Sequence, residues 1–502
     1  MKPKYINFFS PIILITLFWA IVFPIRFFTL GFYHDDWTLV GTEFSETGIN
    51  FLMNLFGNRP LLGVAHIIGL ILNCQNESFN AQLFGALQIL ITAWILYLFY
   101  YQSIFFIFGT RQQIICILCV FVWLVMPWSL GTFCWYITTP TIMATLGFSF
   151  SGLMLIRYWM CVQKAIFLVP FGVLVSCLSY EIFILQFPIL ICLLFLSNKP
   201  VHDFKTKFNY SVIAILLPIF LSFVIRKFGE SFGGSPSKSF YPDFLKLVLQ
   251  DLTFKWMADS LGGTPYMVLK LLICLLIIVF LVSLIQKYQL DLYKRVFGLA
   301  LVILVGFFVS CLTPSLASYA LVGTGIFSRT NLGVSFWLSF FVVALSSVSS
   351  LKKNKAIFIL NHAVIIGIVL LFWHITNQNL KPWQQVWTHQ SDLLRSAAKI
   401  DFSKMPTDSL VVLDSHVQKN GVCGFGAPWD LNAAMHHLYP SSKHVRFIVA
   451  NSYWKVESDG KQVKQHHDNN ILFQMETANA YQWNKKRNEI NPLVVGDVIG
   501  ED

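Results

Sequence analysis

Long apolar runs, separated by short polar connections, dominate the first three quarters of the chain. They lie near residues 8–29, 82–108, 112–128, 141–160, 165–179, 182–197, 209–225, 266–285, 296–313, 331–349 and 356–375. Most are near the roughly 17–25 residues that a helix needs to cross the hydrocarbon of a bilayer, so the pattern predicts about eleven transmembrane helices. A further apolar stretch, Leu61 to Cys74, is too short to span comfortably and is expected as a re-entrant or interfacial helix. Past residue 376 the pattern changes. Strand-like runs, Ser409–Leu413 and Val445–Ala450, alternate with a helical one, Asp430–Leu438. The fold class expected is a polytopic α-helical membrane protein: a transmembrane domain over 1–376 and a small soluble α/β domain over 377–502.

Composition supports lipid as the solvent. Of 502 residues 56% are hydrophobic and only 12% charged, more apolar surface than one water-soluble core can use. The first run, Phe8 to Leu30, follows Lys2 and Lys4 but is long for a signal-peptide core and has no small-residue cleavage site after it, so it reads as a retained anchor. With Lys2 and Lys4 cytoplasmic, alternate connections carry Arg111; Arg157 and Lys164; Lys199, Lys205 and Lys207; Lys287, Lys294 and Arg295; and Lys352, Lys353 and Lys355. The other connections carry most of the acids: Asp35, Asp36, Glu43, Glu46, Glu77, Glu181, Glu230, Asp243, Asp251 and Asp259. This asymmetry predicts a cytoplasmic N-terminus, with external segments at 31–81, at 226–265 around Gly233-Gly234-Ser235-Pro236, and at the C-terminal domain. Thirteen basic and thirteen acidic residues balance after Asn377, so the formal excess of +11 belongs to the membrane half. The basic balance therefore reflects topology, and no nucleic-acid partner is expected. Ten cysteines sit singly, with only Cys423 in the soluble part, so neither a disulfide framework nor a paired-thiol metal site is expected there.

The most informative stretch is Phe32-Tyr33-His34-Asp35-Asp36-Trp37, where the first helix leaves the membrane. Adjacent carboxylates there read either as a helix cap, with Asp36 capping the turn from Trp37, or as a general base whose pKa is raised by like charge and desolvation. Tyr33 and Trp37 read as an interfacial belt or as a platform for a sugar face. Basic residues on the external side run against the charge asymmetry. Arg59, in Gly57-Asn58-Arg59-Pro60-Leu61, and Arg329, in Phe327-Ser328-Arg329-Thr330-Asn331, carry guanidiniums able to fork onto a phosphate; Arg226 and Lys227 read as snorkelling to lipid headgroups. Glu181, between two short apolar runs, reads as a functional carboxylate or as a plain external turn. The pairs His436-His437 and His466-His467 lack metal-ligand spacing and read as solvated surface. No Walker loop, dinucleotide fingerprint or nucleophile elbow is present, which argues against a soluble nucleotide-sugar donor.

The acidic pair after the first helix, the short helix opening Arg59-Pro60-Leu61, the many spans and the external C-terminal domain together resemble the GT-C fold glycosyltransferases. The likeness is to the bacterial group that includes GtrII-type glucosyltransferases and the lipid A aminoarabinose transferases. It implies a sugar donor on a polyprenyl-phosphate carrier, an extracytoplasmic glycan or glycolipid acceptor and residence in the bacterial cytoplasmic membrane, as part of lipopolysaccharide or cell-envelope assembly. By that resemblance Asp35 or Asp36 is the base and Arg59 or Arg329 holds the departing phosphate, with Glu181, Tyr33, Trp37 and Trp135 as further substrate-binding candidates. One departure stands out. Many relatives carry another acid in the second external loop, whereas Pro127 to Pro140 holds Trp128, Trp135 and Tyr136 and no carboxylate. No metal ligand is assigned, and assistance by a divalent cation stays open.

A transporter or flippase, an O-antigen polymerase-like protein and a non-enzymatic scaffold compete with this reading; the first needs a polar path at mid-membrane, often built from repeated halves, and neither is evident. Topology is testable directly. An alkaline phosphatase fused after residue 376 should be active, as should a cytoplasmic reporter at Lys205; the opposite result at either site overturns the assigned orientation.

Overall fold

Among the described residues, seven helices are long and apolar enough to cross a bilayer: Ser78–Phe108, Thr139–Trp159, Phe204–Gly229, Gly263–Ser283, Asp291–Leu316, Ser328–Ser349 and Lys355–Ala397. The computed structural model describes residues 9–23, 29–33, 36–40, 45–74, 77–231, 246–247, 250–251, 255–285, 290–316, 321, 324, 326–351, 355–414, 418–419, 422–423, 425, 428–450, 454–458, 462–467, 470–476, 480–484, 489–492 and 498–499. An eighth span arises if Gln113–Leu124 and Pro127–Cys134, bent by 49°, count as one. Pro127 explains the bend, because its ring removes a backbone donor and disfavours helical geometry in the residue before it. The remaining expected spans coincide with shorter apolar helices, Ser10–Val22, Gln163–Ser179 and Glu181–Leu196. The last two are parted at Tyr180, whose extended backbone (φ −159°, ψ 134°) interrupts the helical path and leaves Glu181 at the break. The expected turn at Gly233-Gly234-Ser235-Pro236 and the acid Asp35 lie outside the described residues.

Within lipid the hydrophobic effect does little to bring helices together, so close backbone approach and buried polar bonds carry the packing. Gly147 shows the first device. A methyl group there would come within 2.4 Å of the Gly172 carbonyl, so only glycine lets Ile142–Trp159 and Val169–Ser179 touch backbone to backbone. Ser151 adds a hydroxyl bond to the Val169 carbonyl at 3.1 Å across the same contact. At the centre, Phe336 meets Phe148 edge-on at 5.0 Å and Trp337 at 5.2 Å, while the Trp337 indole N–H donates to Gln186 at 2.7 Å.

Residues expected on one side of the membrane meet one another. At one end, Lys207 donates to the Trp159 carbonyl (3.0 Å), Arg295 to the Ile107 carbonyl (3.3 Å) and Gln112 to the Ser347 carbonyl (2.9 Å). At the other end, Arg59 and Arg226 meet Glu181, and Trp135 meets the Tyr33 segment. The short helix Pro60–Ile71 belongs wholly to this second end: Arg59 before it binds Glu181, and Gln82, soon after it, donates to the Gly31 and Cys134 carbonyls at 3.3 and 3.1 Å. It starts at Pro60, whose missing N–H costs nothing in a first helical turn.

The final apolar run is only the first part of a 43-residue helix, Lys355–Ala397, which continues past the expected boundary at 376 with Pro382 inside it. Beyond it, Ser409–Asp414 pairs in parallel with Val445–Ala450 on one side and Ala480–Asn484 on the other, and Glu489–Pro492 adds an antiparallel edge. Leu410, Val411, Val412 and Leu413 are all buried, as a central strand covered on both faces requires. The helix Pro428–Leu438 buries Leu431, Ala434 and Met435 in the same core as Val411 and Phe447. A second, antiparallel sheet contains Trp454–Ser458, Gln462–His467, Asn470–Glu476 and Val498–Ile499.

Asp251, in the segment between Phe204–Ser231 and Gly263–Ile285, is 1% exposed. Its carboxylate accepts from the Leu321 amide (3.1 Å) and the Ser315 hydroxyl (3.3 Å), and burial pushes its pKa up to about 6. A carboxyl whose folded pKa lies above its unfolded value near 3.9 costs stability as pH rises through that window, and the full penalty holds above pH 6. Asparagine fits the same partners: its oxygen accepts from Leu321 and its NH2 donates to Ser315, which keeps its own bond to the Cys311 carbonyl. Asp251→Asn should therefore be more stable than wild type at pH 7.5, by about 1–3 kcal/mol, with the gain vanishing near pH 4. Thermal midpoints in detergent across that range measure it, and a destabilised variant at pH 7.5 overturns the assignment.

Candidate active site

Two clusters occupy the loop-bearing end of the bundle. In the first, the Arg59 guanidinium forks onto Glu181, Nε to Oε2 at 3.1 Å and Nη2 to Oε1 at 2.6 Å. Arg226 reaches the same carboxylate, Nη2 to Oε2 at 2.8 Å, while its Nε donates to the Asn58 carbonyl at 2.7 Å. Arg59 also lies over the Tyr180 ring at 4.9 Å. The elements that bring these groups together are far apart in sequence: the turn before Pro60, the break at Tyr180 and the last turns of Phe204–Ser231. Gly229 makes the approach feasible, since a methyl group there would fall 1.9 Å from the Gly57 carbonyl oxygen. The side chains of Arg59, Glu181 and Arg226 remain 29%, 32% and 14% exposed.

The second cluster is built on Asp36, which is fully buried. One carboxylate oxygen accepts from the Tyr33 amide (2.8 Å) and the other from the Ile137 amide (2.7 Å), so the side chain clasps the segment after the first helix to the loop over residues 127–140. The Ile137 carbonyl lies 3.2 Å from His66 Nε2 on the short helix, which extends the tie to a third element. Trp135 donates its indole N–H to the Tyr33 carbonyl at 3.0 Å, and the Arg329 guanidinium stacks over the Trp135 ring at 4.9 Å. Arg329 is held in place by its loop. Ser328 accepts from the Gly131 amide (2.7 Å), and Asn331 donates to the Trp128 carbonyl (3.0 Å). The guanidinium is half-buried, with its planar face on the indole.

Tyr33 and Trp37 are enclosed, at 0% and 3% exposure, and line neither a lipid rim nor an open sugar platform. The Tyr33 hydroxyl donates to the Trp383 carbonyl at 2.9 Å. The Trp37 ring lies among Phe32, Trp387 and Phe425, and with the Gln390 amide oriented to suit its neighbours, Trp37 donates to it at 2.9 Å. The covering residues come from the extension of the last long helix and from the C-terminal sheet domain, so both help to shape this segment.

Next to the loop over residues 127–140 lies a cavity of about 360 Å³ within the bundle. Trp128, Met257, Phe307, Leu338 and Phe372 are among its apolar walls, and Lys270 stands at its edge with its ammonium 4.3 Å from the Tyr266 ring. Trp128 thus belongs to the cavity wall and, through its carbonyl, to the loop that carries Arg329.

The chain is structurally similar to ArnT from Cupriavidus metallidurans. The structure of ArnT bound to undecaprenyl phosphate aligns over 88% of this chain and 86% of its own, with 11% identity and a TM-score of 0.36. The apo structure of ArnT aligns over 87% and 85%, with 13% identity and the same TM-score of 0.36. A superposition this loose transfers no residue roles. No protein-family model and no curated protein matches the chain.

Of the candidates named from sequence, Arg59 and Glu181 are brought into direct contact, and Asp36, Tyr33, Trp37, Trp135 and Arg329 share the second cluster. Among the described residues no three His, Cys, Asp or Glu side chains converge on a metal-sized site. His436 faces inward, its Nε2 2.8 Å from the Val445 carbonyl, and so braces the sheet domain. Arg226 was expected at lipid headgroups and is instead the second cation on Glu181. Its signal was the polar pair Ser222 and Arg226, one turn apart on an apolar helix.

The Asp36 clasp carries a test. In Asp36→Asn one carboxylate oxygen becomes an NH2 group that faces a backbone N–H, so one bond is lost and a buried donor is left without an acceptor. The variant should lose about 1–3 kcal/mol of stability, seen as a lower thermal midpoint and reduced yield of folded protein. Wild-type stability in Asp36→Asn would show that the clasp is dispensable.

Proposed function

We propose that the protein is a membrane glycosyltransferase that moves a sugar from a polyprenyl-phosphate carrier to an extracytoplasmic glycan or lipid acceptor. The observation that carries this reading is the continuity between an apolar intramembrane cavity and the polar wall above it, joined through Trp128 and the loop over residues 127–137. An amphiphile with a hydrocarbon tail and an anionic, sugar-bearing head fits both halves at once. In this reading Arg329 takes the carrier phosphate, because it stands on the loop wall beside the cavity.

The chemistry is an inverting transfer. A base removes the acceptor hydroxyl proton, the oxygen attacks the anomeric carbon, and the bond from that carbon to the phosphate oxygen breaks, its electron pair leaving with the phosphate. Asp36 commits both oxygens to backbone amides, which leaves Asp35 as the acid of the pair for the base role. The loop-bearing end then faces the outside of a bacterial cytoplasmic membrane, as the charge asymmetry along the chain supports, and the eleven expected helical segments all span.

Positioned bases contribute about 10²–10⁴-fold in rate, so Asp35→Asn should reduce transfer by that factor while expression and thermal midpoint hold. Arg329→Ala should abolish preference for the phosphorylated carrier, and Arg329→Lys should restore only part of it because the bidentate fork is lost. Mass spectrometry of co-purified lipids should find the isoprenoid phosphate. Wild-type transfer rates in both Asp35→Asn and Arg329→Ala would overturn the mechanism.

A further inference from the structure

The geometry points to a second anion site, formed by the guanidiniums of Arg59 and Arg226, which receives the phosphoryl group of a lipid-borne substrate in exchange for the carboxylate of Glu181. This adds to the transferase reading a site at the start of the short helix Pro60–Ile71, and it stands on residues separate from Arg329. Two cations converge on one acid, Arg59 through two bonds of 3.1 and 2.6 Å and Arg226 through one of 2.8 Å. Carboxylate and phosphate present paired oxygens of similar spacing, so guanidiniums arranged for one accept the other.

The cations are held without help from Glu181. Arg226 is anchored to the Asn58 carbonyl at 2.7 Å, Arg59 lies over Tyr180 at 4.9 Å, and the Gly57–Gly229 approach fixes the two backbones. Glu181 begins a helical segment beside the extended Tyr180 and is 32% exposed, so a change of side-chain rotamer suffices to swing its carboxylate toward solvent. A mere structural ion pair has no need of such access. Glu181 then acts as a built-in competitor that weakens anion binding and speeds release.

The test uses the full-length protein in nanodiscs and three probes: farnesyl phosphate, phosphatidic acid and inorganic phosphate, with farnesol as the uncharged control. Glu181→Gln should bind at least one lipid phosphate about tenfold more tightly than wild type, with farnesol unchanged and inorganic phosphate still weak. Tightening toward farnesyl phosphate identifies an isoprenoid source, and tightening toward phosphatidic acid an acyl-lipid source. Arg226→Gln in the Glu181→Gln background should remove the gain. Glu181→Asp, too short to hold both guanidiniums, should show an intermediate gain and serves if the glutamine variant misfolds. Unchanged or weaker lipid-phosphate binding in a folded Glu181→Gln or Glu181→Asp protein overturns the exchange, while the transfer assays on Asp35 and Arg329 report on the transferase reading separately.

Discussion

A carboxylate sealed from water must satisfy both of its oxygens, and Asp36 does so with two backbone amides that lie about a hundred residues apart in the chain. Much of the loop-bearing end follows from that bond pair. Because Ile137 is held by Asp36, Trp135 two residues earlier is placed to cap the Tyr33 carbonyl and to lie beneath Arg329. Because the Ile137 carbonyl also meets His66, the short rim helix is fixed against the same loop. An ion pair would have tolerated rotation about the side chains; two amide bonds to separate strands of backbone define a position.

The membrane supplies the second constraint. In hydrocarbon no water completes a backbone bond, so a break in a helix must be sheltered by protein or stand at the polar edge. The breaks in this chain follow the rule. The bend at Pro127 opens into the loop that carries Trp135, and the extended residue Tyr180 presents Glu181 to two arginines. Irregular backbone and candidate chemistry therefore coincide, since the same absence of regular hydrogen bonding that requires shelter also frees groups to meet a substrate.

Much of this was legible in the sequence, and the limits have physical causes. The apolar runs located the helices because bilayer thickness fixes their length, and the alternation of basic connections grouped the loops into two ends. The strands at Ser409–Asp414 and Val445–Ala450 showed through their short β-branched and apolar runs, Leu410–Leu413 and Phe447–Ala450. The burial of Tyr33 and Trp37 did not, because their covers, Trp383, Trp387 and Phe425, arrive some 350 residues later along the chain. Hydropathy falls after residue 376, so the pattern ended a domain where the backbone continues to Ala397. Arg226 likewise finds Glu181 across 45 positions, a pairing no local pattern encodes.

That continuous helix has a mechanical consequence. A flexible linker would let the sheet domain tumble without effect on the bundle, whereas a helix transmits torque along its axis. Trp387 sits on this shaft, and a methyl group on Gly31 would already lie 2.0 Å from its ring. With no clearance at that point, a twist of the helix carried through Trp387 bears directly on the Gly31–Tyr33 backbone. The sheet domain and the Gly31–Tyr33 segment are thus joined through one stiff shaft, not a loose tether.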